Sequence, residues 1–264
     1  QQYRSILQQF TELGGSFVIP QGAGESFLHP EINAMLTIAK KEFDLQIGLN
    51  TNGSILTQDH MQMIVDLSLD ELGFSVEAIE PETFKTITGG DLCSVVENIH
   101  RFIEVKQEDR NCRTLTRVLM VEQELNKDEV QAYVNYWIKH VDEVVIQSRR
   151  THAGRRLETP RTEPRQLCRH VFDTLFIQWD GDVVICCEDW ESVTCVGNVF
   201  ETPLKEIWYS DKMNSYRKAQ LNGIWNKPEI CSQCEAWAGG QEETIDHGDL
   251  KEKVSALTRK WCRK

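Results

Sequence analysis

Six of the nine cysteines fall between positions 168 and 234, as Cys168, the adjacent Cys186 and Cys187, Cys195, and Cys231-Ser-Gln-Cys234. A Cys-x-x-Cys pair sets two thiolates on one tight turn, close enough to hold one metal ion or two irons of one cluster. Two sulfurs from elsewhere in the fold complete a four-sulfur site. The set that this arrangement favours is Cys168, Cys186, Cys231 and Cys234. Tetrahedral zinc and an iron–sulfur cluster both suit four thiolates. Zinc usually draws its ligands as two close pairs, and only one close pair is present, so the spacing leans toward iron–sulfur. The alternative without chemistry is a group of packed thiols or a disulfide. Cys93, Cys112, Cys195 and Cys262 have no metal-ligand spacing and read as packed or incidental thiols.

A second set of chemically capable residues lies in the first half. Gln21-Gly22-Ala23-Gly24-Glu25-Ser26 is a glycine-rich loop. Glycines let a ligand approach the backbone, and a carboxylate such as Glu25 can accept bonds from an ammonium group. A bare turn explains a lone Gly-x-Gly equally well. Asn52, before Gly53, reads first as a turn residue. Ser75 interrupts an apolar strand and could bond a ligand or the backbone.

The elements that must position these groups alternate regularly. The spacing predicts helices over 2–13, 30–43, 57–67, 127–141 and from Asp91 or Ser94 to about 106, with Asn126 as a cap of the fourth. Strands are predicted over 16–20, 45–49, 71–76, 115–121 and 144–147. Strands alternating with helices at this pitch imply an α/β fold with a parallel sheet and helices outside, an open or closed barrel. Ligands in such sheets sit at the carboxyl ends of the strands. The clusters 22–25, 50–53, 75–77 and 147–150 all fall there.

Residues 148–166 read as an irregular linker, whose basic run is expected to be a solvated loop. Two strands, 175–179 and 182–186, flank Asp180-Gly181, a hairpin signal that delivers Cys186 to the module's centre. Cys186 and Cys187 point to opposite faces of one strand, so one of them is the ligand. A helix is expected over 204–221. Trp179, Trp190, Trp208 and Trp225 are expected to pack around the site and keep water from it. The tail from 238 is polar and carries no motif.

Composition limits the classes available. The 264 residues can bury a full core, and the net charge of −12 argues against a general nucleic-acid binder or a partner of anionic membranes. No apolar run reaches membrane-spanning length, and no signal peptide is visible. Many cysteines without a secretion signal suggest a reducing, cytoplasmic compartment and metal binding.

Taken together, these residues resemble the radical S-adenosylmethionine (SAM) superfamily with a SPASM/Twitch-type auxiliary-cluster extension. Gly22-Ala-Gly-Glu25-Ser-Phe-Leu-His-Pro30 resembles the family's Gly-Gly-Glu-Pro strand end, Asn50-Thr-Asn-Gly53 its third-strand motif, and Phe74-Ser-Val-Glu77 its fourth. Cys168, Gly181-x4-Cys186, Gly197-Asn-Val, Leu204-Lys-Glu-Ile-Trp208 and Pro228-x-x-Cys231-x-x-Cys234 follow the extension's order, and the Gly-x4-Cys pattern selects Cys186 over Cys187. The resemblance implies a partial (β/α)6 barrel lacking its first strand over 1–150 and a linker over 151–166. It also implies a small α+β cysteine-rich module over 167–237, followed by a tail over 238–264. It implies one auxiliary [4Fe-4S] cluster on Cys168, Cys186, Cys231 and Cys234, because the next cysteine after Cys234 is Cys262. Gly22, Gly24 and Glu25 would hold the methionyl end of SAM, Asn52 and Ser75 would lie near its ribose and carboxylate, and Gln147 near the adenine.

The implied activity is a radical SAM oxidoreductase or maturase that abstracts hydrogen with a 5′-deoxyadenosyl radical. Its substrate would be a peptide or a small carbohydrate-like molecule, and its electron donor a flavodoxin or ferredoxin. The family's Cys-x3-Cys-x2-Cys is absent from the sequence, which opens in what resembles the first barrel helix. The expectation is that the first strand and this motif were lost by truncation, and that the chain alone would not build the second, SAM-cleaving [4Fe-4S] cluster. A non-catalytic iron–sulfur electron-transfer protein and a zinc-stabilised binding module are the alternatives.

Overall fold

The computed structural model describes residues 1–156, 164–240 and 242–264. The chain forms two compact units, neither of them contiguous in sequence. One comprises Ser16–Ser148, Glu243–Val254 and Thr258–Lys264, and the other Gln1–Gly15, Arg149–Glu242 and Ser255–Leu257. The opening helix α1 (Gln2–Glu12) belongs to the second, and so departs from the sequence-based boundary that groups it with the barrel.

The larger unit is built on parallel strands. After β1 (Phe17–Val18) come α2 (Ile32–Thr37), which continues into one π-helical turn, and β2 (Gln46–Thr51). Next are α3 (Gln58–Leu67), β3 (Glu71–Ser75), α4 (Pro81–Thr88), α5 (Leu92–Glu108) and β4 (Leu115–Glu122). The series closes with α6 (Val130–Trp137) and β5 (Glu143–Ser148). Strands β1 to β5 pair in parallel in sequence order, which requires a crossover between each pair. Ile47, Leu49, Leu72, Phe74, Val144 and Ile146 are buried, as expected for strands covered on both faces.

Local chemistry fixes the helix starts. The Thr57 hydroxyl accepts the His60 N–H while His60 Nδ1 accepts the Thr57 N–H, a reciprocal cap on α3. The Asp91 carboxylate accepts the N–H groups of Cys93 and Ser94 at the head of α5. Asn126 stands at the expected N-cap position, before the 3-10 turn Lys127–Glu129 that leads into α6, but its side chain makes no capping bond. It is fully buried. Its Nδ2 donates to the carbonyls of Glu77 (2.8 Å) and Val121 (3.0 Å), and its Oδ1 accepts the Gln123 N–H. It therefore ties together the segments that leave β3 and β4.

The second unit contains α7 (His170–Asp173) and a small antiparallel sheet of β6 (Phe176–Ile177), β7 (Asp182–Val184) and β8 (Gly197–Asn198). Two helices, α8 (Leu204–Trp208) and α9 (Asp211–Leu221), stand where one was expected. The break falls at Ser210, whose hydroxyl accepts the Met213 N–H and starts a new helix. Ile6, Phe10 and Leu13, the apolar stripe of α1 and its end, pack on a core of Val171, Val183, Ile185, Leu204, Ile207 and Met213. The Gln9 side chain accepts the Leu204 N–H at 2.7 Å. The expected linker is partly structured, since the Thr151 N–H and hydroxyl reach Glu235 and the Gln233 carbonyl. Its remainder, 157–163, lies outside the described residues.

The hairpin forms at the expected Asp180-Gly181. Gly181 has φ +90, and a Cβ there would lie 2.5 Å from the Phe200 ring and 2.7 Å from Asn198 Oδ1. Gly181→Ala is therefore expected to destabilise this unit by about 1–3 kcal/mol, read as a lower denaturation midpoint.

The tail, read as motif-free, forms β9 (Glu243–Asp246), β10 (Leu250–Val254) and β11 (Thr258–Arg263). These extend the large sheet in the order β1-β2-β3-β4-β5-β11-β10-β9, with β11 antiparallel to β5. Arg259 pairs with Glu122 at 2.6 Å. The unpaired N–H and C=O groups of the β5 edge thereby find partners.

Candidate functional site

Four cysteines converge within the smaller unit from separate segments. Cys168 precedes α7, Cys186 follows β7, and Cys231 ends a short 3-10 turn three residues before Cys234. Cys186 and Cys231 are both buried in the unit's apolar core. Cys187 is exposed, and its carbonyl accepts the Trp190 indole N–H. The strand expected to carry both ends at Val184, so neither cysteine lies on it and the opposite facings of a strand do not apply. Cys186 is the buried residue of the two, and the Cys187 thiol, pushed up to about 11 by burial, also interacts with Cys234.

The sulfurs lie close enough for their charges to act on one another. Cys186 feels Cys231 and Cys234, Cys231 feels Cys234 and Cys168, and Cys234 feels Cys168. Burial pushes the Cys231 thiol up to about 12 and raises those of Cys168, Cys186 and Cys234. Three of the four sulfurs accept a backbone N–H from two residues on: Cys168 from His170, Cys186 from Glu188, and Cys234 from Ala236 at 3.4 Å. Such donors stabilise thiolate over thiol.

The linkage sign follows from the raised values. Below about pH 8.5 the thiols stay protonated whether the chain is folded or not. Above it the unfolded chain releases protons that the folded one retains until its own higher pKa is reached. The metal-free chain should thus lose stability as pH rises, by up to about 1.4 kcal/mol per pH unit per thiol. Thermal melts of the metal-free protein at about pH 8 and about pH 10 are expected to show this fall, and Cys231→Ala should reduce it.

The surroundings of the thiols are rich in donors. Arg165 donates from Nη1 to the Cys231 carbonyl, and its guanidinium lies 5.4 Å from the Trp225 ring. Gln220, 2% exposed, accepts the Cys168 N–H at Oε1. Arg165 Nε and Gln220 Nε2 are both buried with no hydrogen-bond partner among the described residues. Four desolvated thiols flanked by two buried donors lacking acceptors fit an anionic iron–sulfur cluster, whose sulfurs are acceptors. Four thiolates also suit a tetrahedral zinc, and among the described residues no group of three or more His, Cys, Asp or Glu is already set for a single metal ion.

Sequence reasoning missed Arg165 and Gln220, whose role depends on packing rather than spacing. It also underrated the basic run. Arg150 pairs with the buried Glu188 at 3.5 Å, and Arg155 donates to the Glu188 carbonyl at 2.6 Å and stacks over Trp190. That run is therefore not simply a solvated loop. The expectation for the tryptophans is corrected too. Trp179 is 92% exposed at the hairpin tip and Trp190 54% exposed, while Trp208 packs on Arg217.

In the larger unit, the first-half candidates stand at the carboxyl ends of the parallel strands. Glu25 Oε1 accepts the Phe27 N–H (3.2 Å) and the Thr51 hydroxyl (2.8 Å), and Oε2 accepts the Asn52 N–H (2.7 Å). A carboxylate has about four acceptor positions, so Oε2 retains one. Asn52 Oδ1 accepts from Ser54 N and Oγ, the turn role expected of it. Gly22 and Gly24 are exposed, and a Cβ on either would meet nothing within 4 Å. Ser75 ends β3 opposite Leu119, and Gln147 on β5 stands opposite Val121 and Thr258.

Comparison with known proteins supplies the class. Residues 2–136, just over half of the chain, match the radical SAM superfamily, and residues 168–235 match SPASM, an iron–sulfur cluster-binding domain. The chain belongs to the radical SAM superfamily. It is 22% identical over 258 residues to a tungsten-containing aldehyde ferredoxin oxidoreductase cofactor-modifying protein of Pyrococcus furiosus, covering 80% of this chain and 72% of that one. It is 33% identical over 67 residues to an S-adenosyl-L-methionine-dependent 2-deoxy-scyllo-inosamine dehydrogenase of Niallia circulans, covering 25% of this chain and 27% of that one. Among solved structures it resembles BtrN in complex with AdoMet and 2-DOIA (TM-score 0.60, 17% identity, 88% of this chain and 78% of that one). It also resembles Streptococcus suis SuiB bound to precursor peptide SuiA (TM-score 0.69, 15% identity, 88% and 62%). These structural likenesses agree with a mixed α/β fold whose central sheet is mainly parallel. The radical SAM match implies SAM and a [4Fe-4S] cluster, and the SPASM match auxiliary iron–sulfur clusters. No helix among the described residues is long and apolar enough to cross a membrane.

Proposed function

We propose that this chain works as a radical SAM oxidoreductase or maturase. One auxiliary [4Fe-4S] cluster would be held by Cys168, Cys186, Cys231 and Cys234, and the substrate would be a peptide or a small carbohydrate-like molecule. The observation that carries the reading is the convergence of four desolvated thiols, three of them with an N–H donor on the sulfur. When bound, SAM and a reduced [4Fe-4S] cluster supply a 5′-deoxyadenosyl radical that abstracts hydrogen. No Cys-x3-Cys-x2-Cys occurs in the 264 residues, so no step through the SAM-cleaving cluster follows from them.

The chain's own residues bind and orient. Backbone at Gly22 and Gly24 approaches the methionyl end of SAM, and the free position on Glu25 Oε2 accepts from its ammonium. Asn52 and Ser75 lie toward the ribose and carboxylate, and Gln147 toward the adenine. Cys168, Cys186, Cys231 and Cys234 would hold the auxiliary cluster, which would supply an electron acceptor for the substrate or a structural anchor for the module. A flavodoxin or ferredoxin in the cytoplasm supplies electrons. Proteins of this fold have been seen with a peptide, SuiA on SuiB, and with a small molecule, 2-DOIA on BtrN, which supports a partner of either kind.

Equilibrium dialysis against radiolabelled SAM tests the binding half of this reading. Gly24 stands in open space, so Gly24→Val should fold normally yet bind SAM at least about tenfold more weakly, as loss of about 1.4 kcal/mol requires. Equal binding by the variant, or none by the wild type, would overturn it.

A further inference from the structure

We infer that Arg165 and Gln220 form a donor pair that sets the reduction potential of the auxiliary cluster. The inference rests on the proposed cluster at Cys168, Cys186, Cys231 and Cys234.

Both side chains are fixed to the cysteine segments by one end and unsatisfied at the other. Arg165 Nη1 is spent on the Cys231 carbonyl, and its plane is braced against Trp225. Gln220, on α9, uses Oε1 to hold the Cys168 N–H at 3.3 Å. What remains is one buried N–H on Arg165 Nε and the buried amide of Gln220 Nε2, neither with an acceptor among the described residues. Other buried donors, such as Arg117 Nε and Trp137 Nε1, also lack a partner among the described residues, and each orphan costs about 1–3 kcal/mol. The pair at Arg165 and Gln220 is set apart by its place beside the cysteines. Two of them beside the same ligand set point to one acceptor common to both. A cluster's sulfurs are such acceptors, and hydrogen bonds to them are a recognised control on potential.

The direction of the effect follows from charge. Adding one electron to a four-thiolate cluster makes it more anionic. A fixed guanidinium and two N–H donors therefore stabilise the reduced form more than the oxidised one, and raise the potential. Arg165 supplies charge and one donor, Gln220 a donor alone. The larger effect belongs to Arg165.

The test is a redox titration of anaerobically reconstituted protein, with iron and sulfide counted first. Arg165→Gln is expected to lower the reduced fraction about tenfold at a fixed ambient potential, a shift of about 59 mV for one electron. Gln220→Met and Arg165→Lys should give smaller falls in the same direction. After exchange into deuterated water, the reduced cluster of Gln220→Met should show weaker couplings to exchangeable deuterons than wild type. Full clusters with wild-type potentials and couplings in all three variants would overturn the inference while leaving the cluster reading intact. A wild-type chain that binds no iron would sink both. If Arg165→Gln assembles no cluster, Arg165→Lys and Gln220→Met decide by the same criteria.

Discussion

Anaerobic reconstitution with iron and sulfide is expected to load about four irons and four sulfides per chain, as one cubane on four thiolates requires. The Cys231→Ala variant should lose most of that loading. Cys231 is 9% exposed, and its sulfur interacts with those of Cys168 and Cys234. Cys112, the other buried cysteine outside the proposed set among the described residues, is in the other unit and bonds Thr114. Cys187→Ala should cost much less loading, because Cys187 is exposed as a residue although burial pushes its thiol up to about 11. The pair of variants thus tests the ligand choice as well as the metal. Iron and acid-labile sulfide assays with the visible spectrum read the outcome, and stoichiometric zinc without visible absorption would replace the cluster by a structural metal site. Loading should also weaken as pH falls, since all four thiols are raised by burial and must release their protons to bind.

Glu25→Ala should cost the larger unit about 3 kcal/mol, the scale of charge-assisted hydrogen bonds lost from a half-buried carboxylate. Its two oxygens hold the Phe27 N–H, the Thr51 hydroxyl and the Asn52 N–H. Thr51 is 2% exposed, so its hydroxyl would lose a partner that water cannot readily replace. The same change should abolish measurable SAM binding, because it frees the loop after β1 from the end of β2. Glu25→Gln retains the acceptor oxygen at one position only, and should give an intermediate loss. Urea denaturation, with SAM dialysis on the folded variants, separates the two consequences. A variant as stable as wild type would contradict the structural role, and one that still binds SAM the functional one.

What could be read in the sequence was whatever a local rule decides. The parallel strands announced themselves as short apolar runs, Asp91 as a cap, and Asp180-Gly181 as a turn. Cys168, Cys186, Cys231 and Cys234 could be singled out as candidates because ligand chemistry restricts residue type. Other features depended on partners far along the chain. In α1, Ile6, Phe10 and Leu13 show that one face is buried, but nothing in their spacing says against which unit. Strands β9 to β11 carry many charges and few apolar residues, so they lack the alternation that marks a strand. Their conformation comes from pairing with an available edge. Helix α4 has only eight residues, too few for a firm period. Glu25 was legible as a candidate ligand residue, but its three chain partners come from residues 2 to 27 positions away.

The pairing of β11 with β5 bears on how the protein is made. Synthesis runs from the first residue to the last, and β5 leaves the ribosome over a hundred residues before its neighbour β11. Through that interval its apolar edge, Val144-Val145-Ile146, is an open template for another nascent chain. Slow translation, or a ribosome stalled before Thr258, would prolong this exposure. Trigger-factor-like holdases that cover apolar strands should therefore raise the yield of soluble protein, and a separately supplied peptide with the β11 sequence should do the same in trans.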